Sequence, residues 1–317
     1  MFLGLDASCY TTSAALVTSG RKLLADFRKP LSVPLGEKGL QQSAAVFQHL
    51  HNLPEIFHLL AREYDLQQIK GVAASTRPRS VPGSYMPVFT VAENQGRIIS
   101  SILRVPFIST SHQEGHLMAG IWSAGRPQSD RFLAVHLSGG TSEILEVKQK
   151  PSEVGFEIDL LGGTTDLHAG QMVDRIGVLL GLPFPSGPYL EQLAQQAPNS
   201  PLRLPSSVVG YNFSFSGPES HAARLANRGE EPAAIARAVE RCIAVTILKV
   251  LRKVISDRNI YEVLVVGGVA ANNFVRTFLS EKLETPSVGA KLFFADPKYS
   301  SDNAVGIALL AMQTFLH

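Results

Sequence analysis

Two histidines four residues apart, His112 and His116 in the segment SHQEGHL, are the residues whose type and spacing most directly suggest chemistry. On a helix this spacing places both imidazoles on one face, where they could share a divalent ion. Zinc proteases of the H-E-x-x-H type carry the catalytic glutamate directly after the first ligand. Gln113 holds that place here and Glu114 comes one residue later, so a protease is not supported. Two solvated or core histidines are the alternative interpretation.

Four further segments contain the small and polar residues that can approach a nucleotide. LSGGT, residues 137–141, is a glycine-rich turn after a strand, and VVGGVAANNFVR joins a strand to a helix through two glycines. A helix that begins at such a junction presents free N–H groups to an anion. DLHAGQMVDRIGVLLGLPFPSGP is predicted to place Asp166, Gly170 and Asp174 on one helix face, followed by a Pro-Gly loop. SSDNAVGIALL places Asp302 at the predicted start of the last helix.

The composition indicates a globular chain with two domains and no dominant charge. The chain has 317 residues, of which 45% are hydrophobic and 18% charged, with a net charge of +2. This size suits two domains of about 100–200 residues, and the charge draws in no polyanion by itself. Cys9 and Cys242 form no CxxC pair, which favours a reducing compartment. Since neither a secretory leader nor a long apolar run is recognisable, we expect a cytoplasmic protein without a membrane span.

A weak internal repeat with an offset of 130 residues organises the elements around these segments. Phe2-Leu3 followed by a turn of small residues is echoed by Phe132-Leu133 and a second such turn. Each copy is typical of a hairpin that opens an α/β domain. The polar segment 123–130 gives the predicted boundary, with an N-terminal domain at 1–125 and a C-terminal domain at 126–317. Two unrelated strand-turn units are the alternative.

Hydrophobic periodicity predicts helices and buried strands after each hairpin. The predicted helices cover residues 41–64, 89–103, 231–256 and 301–316, and the predicted strands cover 69–75, 105–110 and 261–269. A duplicated, hairpin-led α/β domain with a cleft between the halves is the architecture of the actin, sugar-kinase and Hsp70-ATPase group, the ASKHA fold. In that architecture small-residue turns point backbone N–H groups at nucleotide phosphates from both sides.

In order and spacing, these segments resemble the TsaD family of tRNA threonylcarbamoyladenosine transferases, from LGLDASC to SDNAVGIA. The resemblance implies transfer of a threonylcarbamoyl group from threonylcarbamoyl-AMP to N6 of adenosine 37 in tRNA. It also implies two partner proteins, a TsaB-like homologous subunit and a small ATPase subunit.

The resemblance also implies the site residues. One iron or zinc ion per chain would be held by His112, His116 and Asp302. The acyl-adenylate or adenine nucleotide would contact His136, Leu137, Ser138, Gly139, Gly140, Asp174, Gly187 and Asn272. Two imidazoles and one carboxylate leave coordination positions open, as a catalytic metal site requires.

Several positions depart from the family's pattern, and they keep two other functions open. The positions are Tyr10 and Thr11 in the first turn, Thr141 in place of a histidine, Gly163, Leu167, and Glu219 in place of a lysine. One alternative is a carbamoyltransferase that uses carbamoyl-AMP and an acceptor other than RNA. The other is a non-catalytic nucleotide-binding scaffold, which would have no reason to keep the three metal ligands together.

Overall fold

The first half of the chain forms a mixed five-stranded sheet. The computed structural model describes residues 1–8, 10–34, 40–125, 127–150 and 155–315, and Cys9 lies outside these ranges. The strand order is β3-β2-β1-β4-β5, in which β1 pairs antiparallel with β2 and parallel with β4. The strands are β1 (Phe2–Asp6), β2 (Thr11–Val17), β3 (Leu23–Pro30), β4 (Gly71–Arg77) and β5 (Phe107–Ser111).

The second sheet repeats this topology. Its order is β12-β11-β6-β7-β8, in which β6 pairs antiparallel with β7 and parallel with β11. Phe2 lies opposite Val17 in the first hairpin and Phe132 opposite Val147 in the second, so the predicted offset of 130 residues holds in the strand register. The strands are β6 (Arg131–Leu137), β7 (Ser142–Gln149), β8 (Phe156–Gly163), β11 (Glu262–Val266) and β12 (Lys291–Phe294), with a separate hairpin of β9 (Ser207–Val209) and β10 (Asn212–Ser214).

Helices cover both sheets, as the hydrophobic periodicity predicts. In α1, for example, the buried positions include Ala45, Leu53, Ile56 and Leu60, the spacing of one apolar face. The helices are α1 (Gln42–Glu63), α2 (Phe89–Leu103), α3 (His112–Ala124), α4 (Ala169–Leu179), α5 (Gly187–Ala194), α6 (Ser216–Asn227), α7 (Pro232–Arg258), α8 (Asn273–Leu283), α9 (Pro297–Ser300) and α10 (Val305–Thr314). Among the described residues, no helix has both the length and the apolar character that a membrane crossing requires.

The last helix returns to the first sheet and joins the two halves in one core. Helix α10 packs on β1, β2 and β4 and on α3, while α3 also contacts β11 and β12 of the second sheet. The contact between the helices is close: a Cβ atom at Gly306 would lie 1.9 Å from the carbonyl oxygen of Gly115. A shared apolar cluster contains Phe2, Leu117 and Phe132 together with residues of α10. Helix α10 is thereby held against the start of α3.

The polar segment 123–130, taken as the domain boundary in the sequence analysis, lies between the last strand of the first sheet and the first strand of the second. Ser111 is the last residue of the first sheet and Arg131 the first of the second. The boundary between residues 125 and 126 stays a prediction, because α10, on its C-terminal side, packs on the first sheet.

Candidate metal centre and nucleotide cleft

A capping box at the start of α3 positions the two histidines. The Ser111 hydroxyl accepts a hydrogen bond from the Glu114 N–H, and the Glu114 carboxylate accepts one from the Ser111 N–H. Both exchanges satisfy backbone donors that the first helical turn leaves free. His112 is the first helical residue, and His116 follows one turn later on the same face. Glu114 therefore serves the helix cap, which agrees with the sequence argument against a protease.

Three side chains from distant parts of the chain meet at this point. His112 Nε2 lies 3.0 Å from His116 Nε2, and Asp302 Oδ1 lies 3.5 Å and 3.4 Å from the same two atoms. All three ligand atoms fall within 4.8 Å of one another, so this triad could hold a metal ion. Two imidazole nitrogens and one carboxylate oxygen suit zinc or iron and leave positions for other ligands.

The sequence analysis expected Asp302 at the start of the last helix. In the structure Asp302 instead lies in the turn before that helix. Helix α10 begins at Val305 with Ala304 as its N-cap, and the Asn303 side chain accepts a hydrogen bond from the Val305 N–H at 3.0 Å. The Asn303 amide also donates to the carbonyl oxygens of Tyr299 and Ser301. The hydrogen bonds of Asn303 thus hold the turn before α10, and Asp302 in that turn lies beside the histidines.

Asp6 is a site residue that sequence reasoning did not single out. Its carboxylate Oδ2 lies 2.7 Å from His112 Nδ1, and Oδ1 accepts hydrogen bonds from the Ser75 hydroxyl and the Ser8 N–H. A carboxylate on the outer nitrogen of a ligating histidine fixes the tautomer and orients Nε2 toward the ion. The detectable signal is a single acid at the end of the buried strand β1.

The charges of the cluster are coupled. Burial lowers the pKa of His112, but Asp6 and Asp302 outweigh it and raise this pKa to about 10. Burial and the neighbouring His112 lower the pKa of His116. Burial raises the pKa of Asp302, yet its hydrogen bonds to both histidines hold it below the usual range. A protonated His112 thus offsets the negative charges of Asp6 and Asp302. A divalent cation would compete with the proton for the ligating nitrogen of His112.

A third histidine lies beside the triad. His136 sits on β6 with 2% of its surface exposed, and its ring centroid is 4.7 Å from that of His116. Burial, and then the nearby His116 and His112, lower its pKa well below the usual value. Among the described residues neither ring nitrogen of His136 has a hydrogen-bond partner.

The turn after β6 is closed by its own backbone. The Ser138 N–H donates to the Thr141 carbonyl, and the Ser138 carbonyl accepts from the Gly170 N–H at the start of α4. A Cβ atom at Gly170 would lie 2.6 Å from the Gly139 nitrogen, so only glycine lets the helix start approach the turn. A Cβ atom at Gly139 or Gly140 would meet open space.

A cavity of about 520 Å³ adjoins the turn. Of the predicted nucleotide contacts, the structure brings Gly139, Asp174, Gly187 and Asn272 to its wall. His136 and Leu137 are instead buried on β6, and Ser138 and Gly140 belong to the turn but not to the cavity wall.

The cavity wall holds its carboxylates in place with hydrogen bonds. Asp174 accepts one from the Ser186 N–H at 2.7 Å, and burial raises its pKa to about 6. Asn272 caps α8 through its side-chain oxygen, and its amide donates to Glu240 at 2.6 Å. Burial raises the pKa of Glu240 to about 7. Glu240 and Glu191 line the cavity too, and sequence reasoning missed both because each lies within an ordinary helix pattern.

Asp166 does not share the face of α4 with Asp174, contrary to the sequence expectation. Helix α4 begins at Ala169, and Asp166 precedes it. Its carboxylate accepts hydrogen bonds from the Ser214 hydroxyl and the Phe215 N–H. It therefore ties the segment before α4 to the end of β10 and the start of α6.

Some departures from the family's pattern have local explanations. A Cβ atom at Gly163 would lie 2.7 Å from the Ser142 carbonyl oxygen, so this position of the chain requires glycine. The Tyr10 ring packs edge-on against Phe184 at 5.4 Å and lines a smaller cavity beside the cleft. Leu167 is buried. Glu219 lies in the first turn of α6, where the helix dipole stabilises a negative charge. Nothing in the structure explains Thr11 or Thr141.

Two sheets of identical topology, flanked by helices and adjoining a cleft, define an actin-like α/β protein of the ASKHA class. Solved structures agree: the chain is similar to HypF of T. kodakarensis (TM-score 0.64, 13% identity, 99% of this chain and 47% of that chain). It is also similar to the activator of 2-hydroxyisocaproyl-CoA dehydratase from Clostridium difficile (TM-score 0.54, 14% identity, 99% and 95%). At these identities the likeness concerns the fold alone.

Within that class, the chain belongs to the TsaD family, described as tRNA N6-adenosine threonylcarbamoyltransferase, whose model matches residues 37–309. The transferase of that name from a strain of Thermus thermophilus is 32% identical over 312 residues, which cover 98% of this chain and 91% of the relative. The one from Caldicellulosiruptor bescii is 30% identical over 319 residues, covering 97% and 91%. The resemblance inferred from the motifs is confirmed.

Proposed function

We propose that this protein transfers a threonylcarbamoyl group from threonylcarbamoyl-AMP to N6 of adenosine 37 in tRNA. The observation that carries the proposal is the meeting of His112, His116 and Asp302 beside a nucleotide-sized cavity. In the reaction the N6 amine forms a bond to the carbamoyl carbon and loses a proton. The bond from that carbon to the phosphate oxygen breaks, and AMP leaves. A scaffold would need the cavity but not the triad.

The protein's own groups have distinct tasks in this scheme. The triad fits one iron or zinc ion, which when bound would polarise the acyl carbonyl as a Lewis acid. The Asp6 carboxylate can accept a hydrogen bond from the Nδ1–H of His112, which would leave Nε2 free to hold an ion. Gly139 keeps the turn free of side-chain bulk where the phosphate would approach.

The nucleoside end is assigned to the part of the cavity wall that contains Asp174, Gly187 and Asn272. Asp174 can accept hydrogen bonds from ribose hydroxyls with the carboxylate oxygen that Ser186 leaves free. Gly187 at the start of α5 and Asn272 at the N-cap of α8 also line this cavity. These contacts would hold the adenylate so that its acyl group reaches the triad.

The same proposal includes a homologous, TsaB-like partner subunit and a small ATPase subunit, with the cytoplasm as the place of action. An exposed apolar face supports a protein partner: Phe47 and Leu50 on α1 and Ile98 and Ile102 on α2 are each at least 47% exposed. Helices α1 and α2 pack against each other. A Phe47→Glu/Ile102→Glu variant that still copurified with a coexpressed homologous subunit would contradict this assignment.

The test supplies the metal-loaded protein with tRNA, its coexpressed partners and either threonylcarbamoyl-AMP or carbamoyl-AMP. We expect threonylcarbamoyladenosine, detected by mass spectrometry of digested tRNA, with the first donor only. A His112→Ala/His116→Ala variant should lose both metal and activity, whereas a His58→Ala/His221→Ala control should keep its metal. Productive use of carbamoyl-AMP alone, or of neither donor, would contradict the proposal.

A further inference from the structure

A second cavity, of about 320 Å³, lies between the two halves of the chain. The first half contributes Arg79 to its wall, from the segment after β4. The second half contributes residues of β7, β8 and β10 together with His168, which precedes α4. Its size is that of a site for a small ligand, since ligand pockets have volumes of about 300–1,000 Å³. We call it the Arg79 cavity.

The wall of the Arg79 cavity is joined to the helix turn that carries the metal triad. The Pro78 carbonyl, next to Arg79, accepts a hydrogen bond from the Gln113 N–H. The Gln113 side chain donates to the carboxylate of Glu143, another residue of the wall, at 2.9 Å. Gln113 directly follows His112 at the start of α3. A ligand in the cavity would therefore lie near the metal centre.

The Arg79 cavity and the nucleotide cavity share the turn after β6 and the start of α4. Gly139 and Gly170 line the nucleotide cavity, whereas Ser142 and His168 line the Arg79 cavity. An adenylate whose phosphate approached this turn would have its nucleoside in the first cavity. Its acyl group could then extend toward the second.

The groups that the Arg79 cavity offers to a ligand are chiefly hydrogen-bond donors. Arg79 forms an ion pair with Glu143 at 2.5 Å, but 40% of its side chain is exposed, and its other guanidinium N–H groups have no acceptor among the described residues. Asn212 accepts a hydrogen bond from the Gly163 N–H with its side-chain oxygen, and its amide nitrogen has no partner in the described chain. Burial, and then Arg79, lower the pKa of His168, so this ring is neutral at pH 7.

The acid in the wall does not cancel this donor character. Both oxygens of Glu143 are occupied, one by Arg79 and the other by Gln113. The two glycines at the end of β8 leave the space open, because Cβ atoms there would collide with the Tyr211 and Ser142 carbonyl oxygens. A partly exposed guanidinium beside a neutral amide suits a planar carboxylate, which arginine binds through two parallel hydrogen bonds.

We propose that the Arg79 cavity binds a small carboxylate through the Arg79 guanidinium and the Asn212 amide, and that in acyl transfer it holds the free carboxylate of the threonylcarbamoyl group. The second part rests on the proposed function, whereas the first part does not. Carbamoyl-AMP has no such carboxylate, so the cavity gives the protein a means of distinguishing the two donors. Arg79 is then a specificity-determining residue.

The probes are N-carbamoyl-L-threonine, a urea that contains the transferred group with its free carboxylate, and the primary amide of the same compound, which lacks the charge. Calorimetry with the full chain measures both affinities, with and without zinc. We expect the acid to bind at least about tenfold more tightly than the amide, the effect of a charge-assisted pair. The preference should be equal in the metal-free protein, because the carboxylate contacts Arg79 and not the ion.

Four variants complete the test. Arg79→Gln should abolish the preference for the acid, and Arg79→Lys, which keeps the charge but not the fork, should retain part of it. Asn212→Asp can still accept the Gly163 N–H but adds a negative charge, so it should abolish the preference with Arg79 in place. Arg77→Gln is the matched control, because the Arg77 guanidinium contacts Ser109 and does not line the cavity. It should behave as the wild type.

Four results would overturn the carboxylate site. They are equal affinities for acid and amide, a preference that survives in both Arg79→Gln and Asn212→Asp, an equal loss in Arg77→Gln, and Arg79-dependent binding of inorganic phosphate as tight as that of the acid. A preference that disappears with zinc would place the carboxylate on the ion and also overturn it. None of these measurements requires acyl transfer. Where transfer occurs, an unchanged kcat/KM for threonylcarbamoyl-AMP in Arg79→Gln would overturn the second part alone.

Discussion

Replacing Asp174 with asparagine should stabilise the protein at neutral and alkaline pH while weakening nucleotide binding. Burial raises the pKa of Asp174 from 3.8 to about 6. The folded state therefore holds this proton more tightly than the unfolded chain does. Stability contributed by the group is fully present below about pH 4 and is lost as pH rises through about 6. Asparagine removes the buried charge and can still accept the hydrogen bond from the Ser186 N–H.

The size of the effect follows from the two pKa values. The difference between 3.8 and about 6 corresponds to at most about 3 kcal/mol. Because the side chain borders an open cavity, solvent reduces the effect, and we expect a gain of about 1–2 kcal/mol at pH 8 for Asp174→Asn. Near pH 4 both proteins carry a neutral group, and their stabilities should agree.

Urea unfolding at pH 4, 6 and 8 measures this gain, and calorimetry with AMP measures the accompanying loss of affinity. Asp166→Asn is the matched control. Burial raises the pKa of Asp166, but hydrogen bonds from the Ser214 and Ser216 hydroxyls outweigh it and hold the pKa below the usual range. That variant should lose stability at pH 8, with the loss fading in acid. A destabilised Asp174→Asn protein at pH 8, or a difference that does not depend on pH, would refute the reasoning.

Two other substitutions test the metal centre and the core. Asp6→Asn should lower zinc or cobalt affinity about 10–100-fold in chelator competition, because it weakens the carboxylate contact to His112 Nδ1; an unchanged affinity would contradict the role of Asp6. Gly306→Ala should lower the free energy of unfolding by about 2–4 kcal/mol, since its Cβ would lie 1.9 Å from the Gly115 carbonyl oxygen. Gly217→Ala, where a Cβ meets open space, is the control and should not destabilise; equal stability of both variants would contradict the packing of α3 on α10.

Much of the fold could be predicted because it depends on local patterns. The repeat with an offset of 130 residues is visible in Phe2-Leu3 and Phe132-Leu133, and the same residues occupy equivalent places in the two hairpins. The apolar spacing predicts α1, α2 and α7 to within a few residues. The return of α10 to the first sheet could not be read from periodicity. An apolar helix needs an apolar surface, but its sequence does not say which of two sheets supplies it.

Part of the candidate site could likewise be predicted from local spacing, whereas the rest depends on the packing of distant elements. The spacing of His112 and His116 indicates their shared face, because four residues make about one helical turn. Asp302 lies about 190 residues away in sequence, and its place beside them depends on the packing of α10 and on the hydrogen bonds of Asn303 in the turn before it. Asp6 was missed because an acid at the end of a strand has a role only if a distant part of the chain packs beside it. Here that part is the start of α3, which directly follows β5, a strand of the same sheet as β1.

The position of Asp302 links metal binding to the packing of α10. Two residues of the triad lie at the start of α3, and the third lies in the turn just before α10, which packs on α3 and on the first sheet. A cation held by all three residues would therefore favour the fold in which α10 is packed against α3. By linkage, an ion present at a hundredfold excess over its dissociation constant would stabilise this packed fold by about 2.7 kcal/mol. An ion held there would fasten the turn before α10 to the start of α3, near the cavity in which an adenylate would need a rigid site.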